Sequence, residues 1–263
     1  MQEFNYHAPK TVADAVTALK GAEDGKFLAG GQSLIPVLRL DMAAPSDLIS
    51  LREIPELTAI RMDGDTLVIG ALATHRAVEE SDVVRQAIPA LSEMAGHIGD
   101  PQVRNRGTLG GSVAHADPAA DYPAALLGLS ATVETDRRKI AADDFFTGLF
   151  TTALAEDELI VAIHFPRAEK ARYAKFASPA SKYAIAGVFV AKTADGVRVA
   201  VTGAGSKAFR SEAMEKALAS DWSASAIEGI SVPAAELRSD LEASAEYRSH
   251  LIGVMARRAV ASA

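Results

Sequence analysis

Two double-glycine segments constrain this chain more than any other feature: Ala29-Gly30-Gly31-Gln32-Ser33 and Thr108-Leu109-Gly110-Gly111-Ser112. A glycine reaches positive φ and, having no Cβ, lets a ligand or another backbone lie close against it. Consecutive exposed N–H groups at such a turn form a concavity that attracts anions. A small hydroxyl residue follows each pair. Read alone, the pattern fits two loops closing on one diphosphate, and so a dinucleotide-type cofactor; it also fits two unrelated turns.

Local patterning favours a phosphate at the first segment. Residues 27–29 read as a short buried strand running into Gly30. Ser33 then caps a helix over 34–40, in which Pro36 falls in the tolerant first turn. A strand, a glycine turn and a helix N-terminus in succession favour bound phosphate. Upstream, Thr11-Val12-Ala13-Asp14 resembles a capping box, and Val12, Ala15, Val16 and Leu19 recur at helical spacing. Residues 47–51 read as a strand, and Asp63-Gly64 joins 58–62 to 66–69 as a hairpin. Thr74 and Ser81 cap two helices that fill the chain to Gly96. The stretch 98–121 holds the second glycine pair, is poor in apolar runs and reads as one long functional loop. Residues 131–135 and 159–165 are strand-like, and the charged 166–171 mark a boundary. Beyond it, Asp195-Gly196 joins strands 184–192 and 197–202, and helices follow at 211–219, 223–230 and 246–261.

Composition removes several function classes. At 263 residues the chain holds one large domain or two to three smaller ones. A formal net charge of -7 argues against nucleic acid as the main partner. The chain has no cysteine, which excludes disulfides, thiolate zinc sites, a cysteine nucleophile and cysteine-held iron–sulfur clusters within it. The N-terminal residues lack the charged and apolar regions of a signal peptide, and no apolar run is long enough for a membrane span. The expectation is a cytoplasmic protein without obligatory membrane insertion. His75 and His115 have no metal-ligand spacing beyond the proximity of Asp117, so no metal is expected. Ser33 and Ser112 lack the setting of a nucleophile elbow. Gly203-Ala204-Gly205-Ser206 lacks the third glycine of a dinucleotide fingerprint and reads as a tight turn.

Other residues have two readings each. Asp121, past the second glycine pair, accepts from ribose hydroxyls or caps a helix. Tyr183, at a loop–strand junction, covers a flat cofactor ring or plugs the core edge. Lys175 meets a phosphate or solvent. Arg104 and Arg106 brace their loop or face a partner.

Taken together, the sequence resembles the FAD-binding medium subunits of molybdenum hydroxylases, the aerobic carbon monoxide dehydrogenase and xanthine dehydrogenase group. The resemblance rests on Ala29-Gly30-Gly31-Gln32-Ser33-Leu34-Ile35-Pro36 and on the run from Ile98 through Thr108-Leu109-Gly110-Gly111-Ser112 to Asp117-Pro118-Ala119-Ala120-Asp121. Asp144-Phe145-Phe146, Glu158-Leu159-Ile160 and Ser244-Ala245-Glu246-Tyr247-Arg248 extend it over essentially the whole chain. It implies an α+β fold: two α/β subdomains enclosing FAD, over 1–55 and 56–166, then a C-terminal antiparallel sheet with helices over 167–263. It implies that residues 29–34 and 108–112 hold the diphosphate of FAD. The helix N-terminus at Ser33 and the amides of Gly110 and Gly111 are then expected to neutralise it without arginine, and with no cysteine and no histidine set for attachment the FAD is expected to be non-covalent. It gives Asp121 to ribose, Ile160 to the adenine side, Lys175 to the flavin side and Tyr183 to a shield over the isoalloxazine. Partners implied are a molybdopterin-containing large subunit and a [2Fe-2S] small subunit, as a dimer of heterotrimers. No residue of this chain is assigned as catalytic. The alternatives are a self-sufficient FAD oxidoreductase of the same fold and a scaffold subunit that has lost FAD.

Overall fold

The computed structural model describes residues 2–263. Its first sheet is small and parallel: Asp47–Ser50 lies between Asn5–His7 and Gly25–Leu28. The crossover is the helix Val12–Gly21, started by the Thr11 hydroxyl, which accepts from the Asp14 amide at 3.1 Å. Its apolar stripe buries Ala15 and Leu19 against Ile49, Leu51, Ile54 and Leu57. Gly25–Leu28 ends one residue before the first glycine pair, and a six-residue helix, Leu34–Arg39, follows it. Ser33 stands at its start in αR geometry, and its side chain makes no capping bond, contrary to the expected role.

The second sheet is antiparallel and five-stranded, ordered Ile60–Asp63, Thr66–Gly70, Ile160–Pro166, Thr132–Thr135, Lys139–Ala141. Helices fill the long connection between its second and third strands in sequence. Thr74 and Ser81 do cap helices, accepting from the Ala77 and Val84 amides. The stretch holds three helices rather than two, because Pro89 opens a new one, Pro89–Gly96. The expected loop over 98–121 is also partly helical. Asp100 accepts from the Val103 amide and Pro101 occupies the first turn, giving Pro101–Arg104. Thr108 then caps Leu109–His115, so the second glycine pair lies in the first turn of a helix. The helix Tyr122–Gly128 is buried along its whole length.

The third sheet is antiparallel, in the order Ala168–Ala177, Ala184–Thr193, Gly196–Thr202, Phe209–Arg210. Its first strand includes most of the stretch read as a boundary; charged residues interspersed with alanines there suit a half-exposed strand. One face carries the helices Glu212–Ser220 and Ala245–Ala261, sealed by Val188, Val190, Val199, Leu251, Met255 and Ala256. The other face, through Tyr173, Phe189 and Ala200, joins the core around Tyr122–Gly128. Residues 223–230 form only a short 3-10 turn at Ser225–Ile227. Gly203-Ala204-Gly205-Ser206 is a tight turn after a strand, as expected, but it leads into Phe209–Arg210 before the next helix.

Candidate functional site

A cavity of about 670 Å³ opens where segments from the three sheets converge. Its wall includes Ala29–Leu34, Thr108, Gly110, Gly111, Ser112, Asp121, Ile160 and Tyr183. Leu109 and Lys175 are not on that wall. Leu109 is fully buried in the core, as the first residue of a capped helix whose other face meets the sheet. The Lys175 ammonium lies behind the wall, engaged with protein acceptors.

The glycine segments meet each other. A Cβ on Gly30 would stand 2.0 Å from the Arg106 carbonyl oxygen and 2.9 Å from the Gly107 Cα. A Cβ on Gly111 would lie 2.7 Å from the Thr108 hydroxyl oxygen and 3.6 Å from the Ala29 Cβ. Their amides, however, are not alike. Leu109 donates to the Ala73 carbonyl, Gly110 to Ala71, Gly111 to the Thr108 hydroxyl and Ser112 to the Thr108 carbonyl. Gly110 and Gly111 therefore have no free N–H for an anion, which corrects the role expected of their amides. By contrast, the backbone amides of residues 30–34 donate to no acceptor among the described residues. Gly31, at φ 74, turns this run of donors into a concavity.

Asp121 begins the helix Tyr122–Gly128 but makes no capping bond, which removes the cap reading. Its carboxylate instead accepts from the Tyr173 hydroxyl at 2.5 Å and from the Lys175 ammonium at 3.0 Å. Burial pushes the Asp121 carboxyl above its ordinary range, against the pull of Lys175 and Tyr173. A carboxylate offers about four acceptor positions, so these bonds leave capacity for ligand hydroxyls. Tyr183, 45% exposed, reaches the cavity from the turn that follows Ala168–Ala177. Ile160 is set in place by the segment before it. Glu158, buried there, accepts from Arg138 at 2.7 Å, from the Thr135 hydroxyl and from the Ala155 amide. The Arg138 guanidinium first, then those amide and hydroxyl bonds, hold the Glu158 carboxyl down to about 2. Arg104 braces its loop, donating to Glu79 at 2.7 Å and to the Ile98 carbonyl at 3.2 Å.

His75 gave no usable signal in the sequence and yet stands on the cavity wall. It is 4% exposed, and its Nδ1 has no partner among the described residues. Burial, helped by the Arg104 charge, pushes the imidazole down to about 4, so it is neutral at physiological pH. Below about pH 6.5 the unfolded chain takes up a proton that the folded chain refuses. This group's contribution to stability is therefore lost as pH falls from about 6.5 to 4, by about 3 kcal/mol. Thermal unfolding of wild type and His75→Leu at a series of pH values reads this directly. The wild type should lose more of its midpoint over that window, and parallel profiles would contradict the burial argument.

An array of free amides, a glycine that permits two backbones to touch and a cavity with buried polar groups are what a protein that binds a dinucleotide-type cofactor requires. The chain belongs to the family of FAD-binding medium subunits of molybdenum hydroxylases, and FAD is its cofactor. Residues 2–168 match the FAD binding domain in molybdopterin dehydrogenase, and residues 171–263 the CO dehydrogenase flavoprotein C-terminal domain. The nicotine 6-hydroxylase medium subunit of Paenarthrobacter nicotinovorans is 39% identical, with 99% of this chain and 97% of that one covered. The carbon monoxide dehydrogenase medium chain of Hydrogenophaga pseudoflava is 37% identical, with 99% and 96% covered. The structure of carbon monoxide dehydrogenase from that organism superposes with a TM-score of 0.89 at 37% identity, covering 100% of this chain and 97% of the other. Quinoline 2-oxidoreductase from Pseudomonas putida 86 gives a TM-score of 0.89 at 29% identity, with the same coverage. The relatives are oxidoreductase subunits of multi-subunit complexes. No helix among the described residues is long and apolar enough to cross a membrane.

Proposed function

We propose that this chain is the electron-transfer subunit of a heteromeric molybdenum hydroxylase. Electrons reach it from the clusters of a [2Fe-2S] small subunit after substrate oxidation at a molybdopterin-containing large subunit, in a dimer of heterotrimers. Bound FAD supplies the electron chemistry and the route to an external acceptor. The work of the chain's own residues is to bind, orient and shield.

The observation that carries this reading is the free run of amides at residues 30–34 on the wall of a cavity that the rest of the chain closes. These donors neutralise the diphosphate without an arginine. Thr108, Gly110, Gly111 and Ser112 stand behind them as the surface against which the diphosphate segment packs, Leu109 anchoring that surface in the core. Asp121 accepts from ribose, Ile160 lies on the adenine side, and Tyr183 covers one face of the isoalloxazine. Lys175 takes no direct contact with the flavin in this reading. The functional units are 1–55, 56–166 and 167–263, with FAD at their meeting.

Purification of the tagged chain from its own host, with iron, molybdenum and FAD measured in each fraction, tests this. Two further polypeptides should co-elute with all three in constant ratio. A folded chain that elutes alone, with FAD but with neither metal, would overturn the electron-transfer reading. The isolated chain given FAD and desalted should show about one equivalent by visible absorption, since the free amides lie on this chain alone.

A further inference from the structure

We propose that Lys175 is a positioning residue, whose ammonium clamps the 178–183 turn to the cavity-forming part of the chain and so fixes where the Tyr183 ring stands. The ring's place over FAD rests on the function proposed above; the clamp does not.

An ammonium has three N–H donors. Those of Lys175 go to the Asp121 carboxylate at 3.0 Å, the His97 carbonyl at 2.8 Å and the Lys182 carbonyl at 3.1 Å. None remains for a ligand. The three acceptors belong to three separate segments: the start of Tyr122–Gly128, the end of Pro89–Gly96, and the turn between Ala168–Ala177 and Ala184–Thr193. Both side chains of the ion pair are 5% exposed, so the pair itself is largely shielded from water. Tyr173, two residues earlier on the same strand and hence on the same face, donates to the same carboxylate. Asp121 is thus held at two points and cannot follow the turn if the turn moves.

The turn itself carries a conformation that needs support. Lys182 sits at φ 65, where a residue with a Cβ is disfavoured, immediately before Tyr183. Internal bonds close the turn: the Lys182 amide donates to the Ser178 carbonyl at 2.9 Å, and the Ser178 amide to the Tyr183 carbonyl at 2.8 Å. The Lys175 ammonium holds the Lys182 carbonyl, joining this closed turn to the body of the chain.

Hydrogen exchange of the full chain, with and without FAD, measures the clamp. Lys175→Met is compared with wild type, and Lys175→Met with Asp121→Asn removes the buried carboxylate charge that the single change strands. Amides of residues 178–183 should exchange about tenfold faster in both, while those of Ala184–Thr193 keep their protection. In Lys175→Met, which keeps the Asp121 carboxylate assigned to ribose, FAD should remain bound, and its fluorescence should rise to the level set by Tyr183→Ala. Unchanged exchange in 178–183 overturns the proposal, as does loss of FAD with exchange unchanged, which would mean direct contact. A double variant that fails to fold while Tyr183→Ala folds also overturns it, because the role would then be the general support of the fold. Faster exchange together with a Tyr183→Ala variant of wild-type fluorescence supports the clamp and removes the stacking role given to Tyr183.

Discussion

Gly30→Val is expected to leave a chain that binds FAD about 100-fold more weakly, the factor that overpacking of about 3 kcal/mol would produce if it fell wholly on the bound form. The reason is contact, not backbone conformation, since Gly30 does not occupy positive φ. Any Cβ at this position meets the Arg106 carbonyl oxygen at 2.0 Å and the Arg106 carbonyl carbon at 2.8 Å, atoms of a main chain rather than of a side chain that can swing away. The two glycine segments must separate, and the amides of residues 30–34 then lose their place on the cavity wall. Titration of the variant with FAD, followed by visible absorption, gives the affinity. Gly64→Ala is the control: its φ of 58 does strain an added side chain, but nothing lies within 4 Å of the added carbon and it does not line the cavity. It should bind FAD as wild type does. Unchanged affinity in Gly30→Val would mean that the first segment does not hold the diphosphate.

Arg248→Ala should produce the largest loss of stability, about 3–5 kcal/mol, or about 10 °C in the unfolding midpoint. Arg248 is 0% exposed. One of its terminal nitrogens donates to the Ile185 carbonyl at 2.6 Å and the Gly203 carbonyl at 2.7 Å, and the other forms a bidentate pair with Asp240 at 2.7 Å. Truncation leaves two buried carbonyls without donors as well as a cavity. Lysine should not restore the loss, because a point charge cannot satisfy that fork. The effect should reach the cofactor site as well. The Gly203 amide donates to the Pro118 carbonyl at 2.7 Å, and the Thr202 hydroxyl to the Ala120 carbonyl at 2.6 Å, next to Asp121. Weaker FAD binding should therefore accompany the lower midpoint, and a midpoint within about 3 °C of wild type would contradict this account.

Local chemistry made the short-range elements legible. Thr11, Thr74 and Ser81 act as caps because a hydroxyl finds an amide three residues on whatever the remainder of the chain does. Asp195-Gly196 is a hairpin turn for a similar reason. Where that reasoning stopped short, the deciding partner lay far along the chain. The 98–121 stretch has little apolar periodicity of its own, and its short helices form against Ala71, Ala73 and Glu79. The strand Ala168–Ala177 gains its pairing from Ala184–Thr193, a partner that its charged first half does not advertise.

The sequence by itself determined the family and marked the two glycine segments, because Gly30 and Gly110 allow a close approach of backbone and Gly31 a positive φ, properties written in residue type. Only the tertiary structure decided how the segments divide the work. Identical Gly-Gly pairs came to differ because the Thr108 hydroxyl and the Ala71 carbonyl consume the amides of one, while nothing consumes those of the other. Asp121 and Lys175 likewise look like two independent ligands along the chain. Folding places them 3.0 Å apart, and a buried ammonium, which must find acceptors for all its donors, takes them from the protein. Hydrogen-bond capacity is finite, and which groups spend it on one another is a property of distance in space, on which spacing in sequence carries no information.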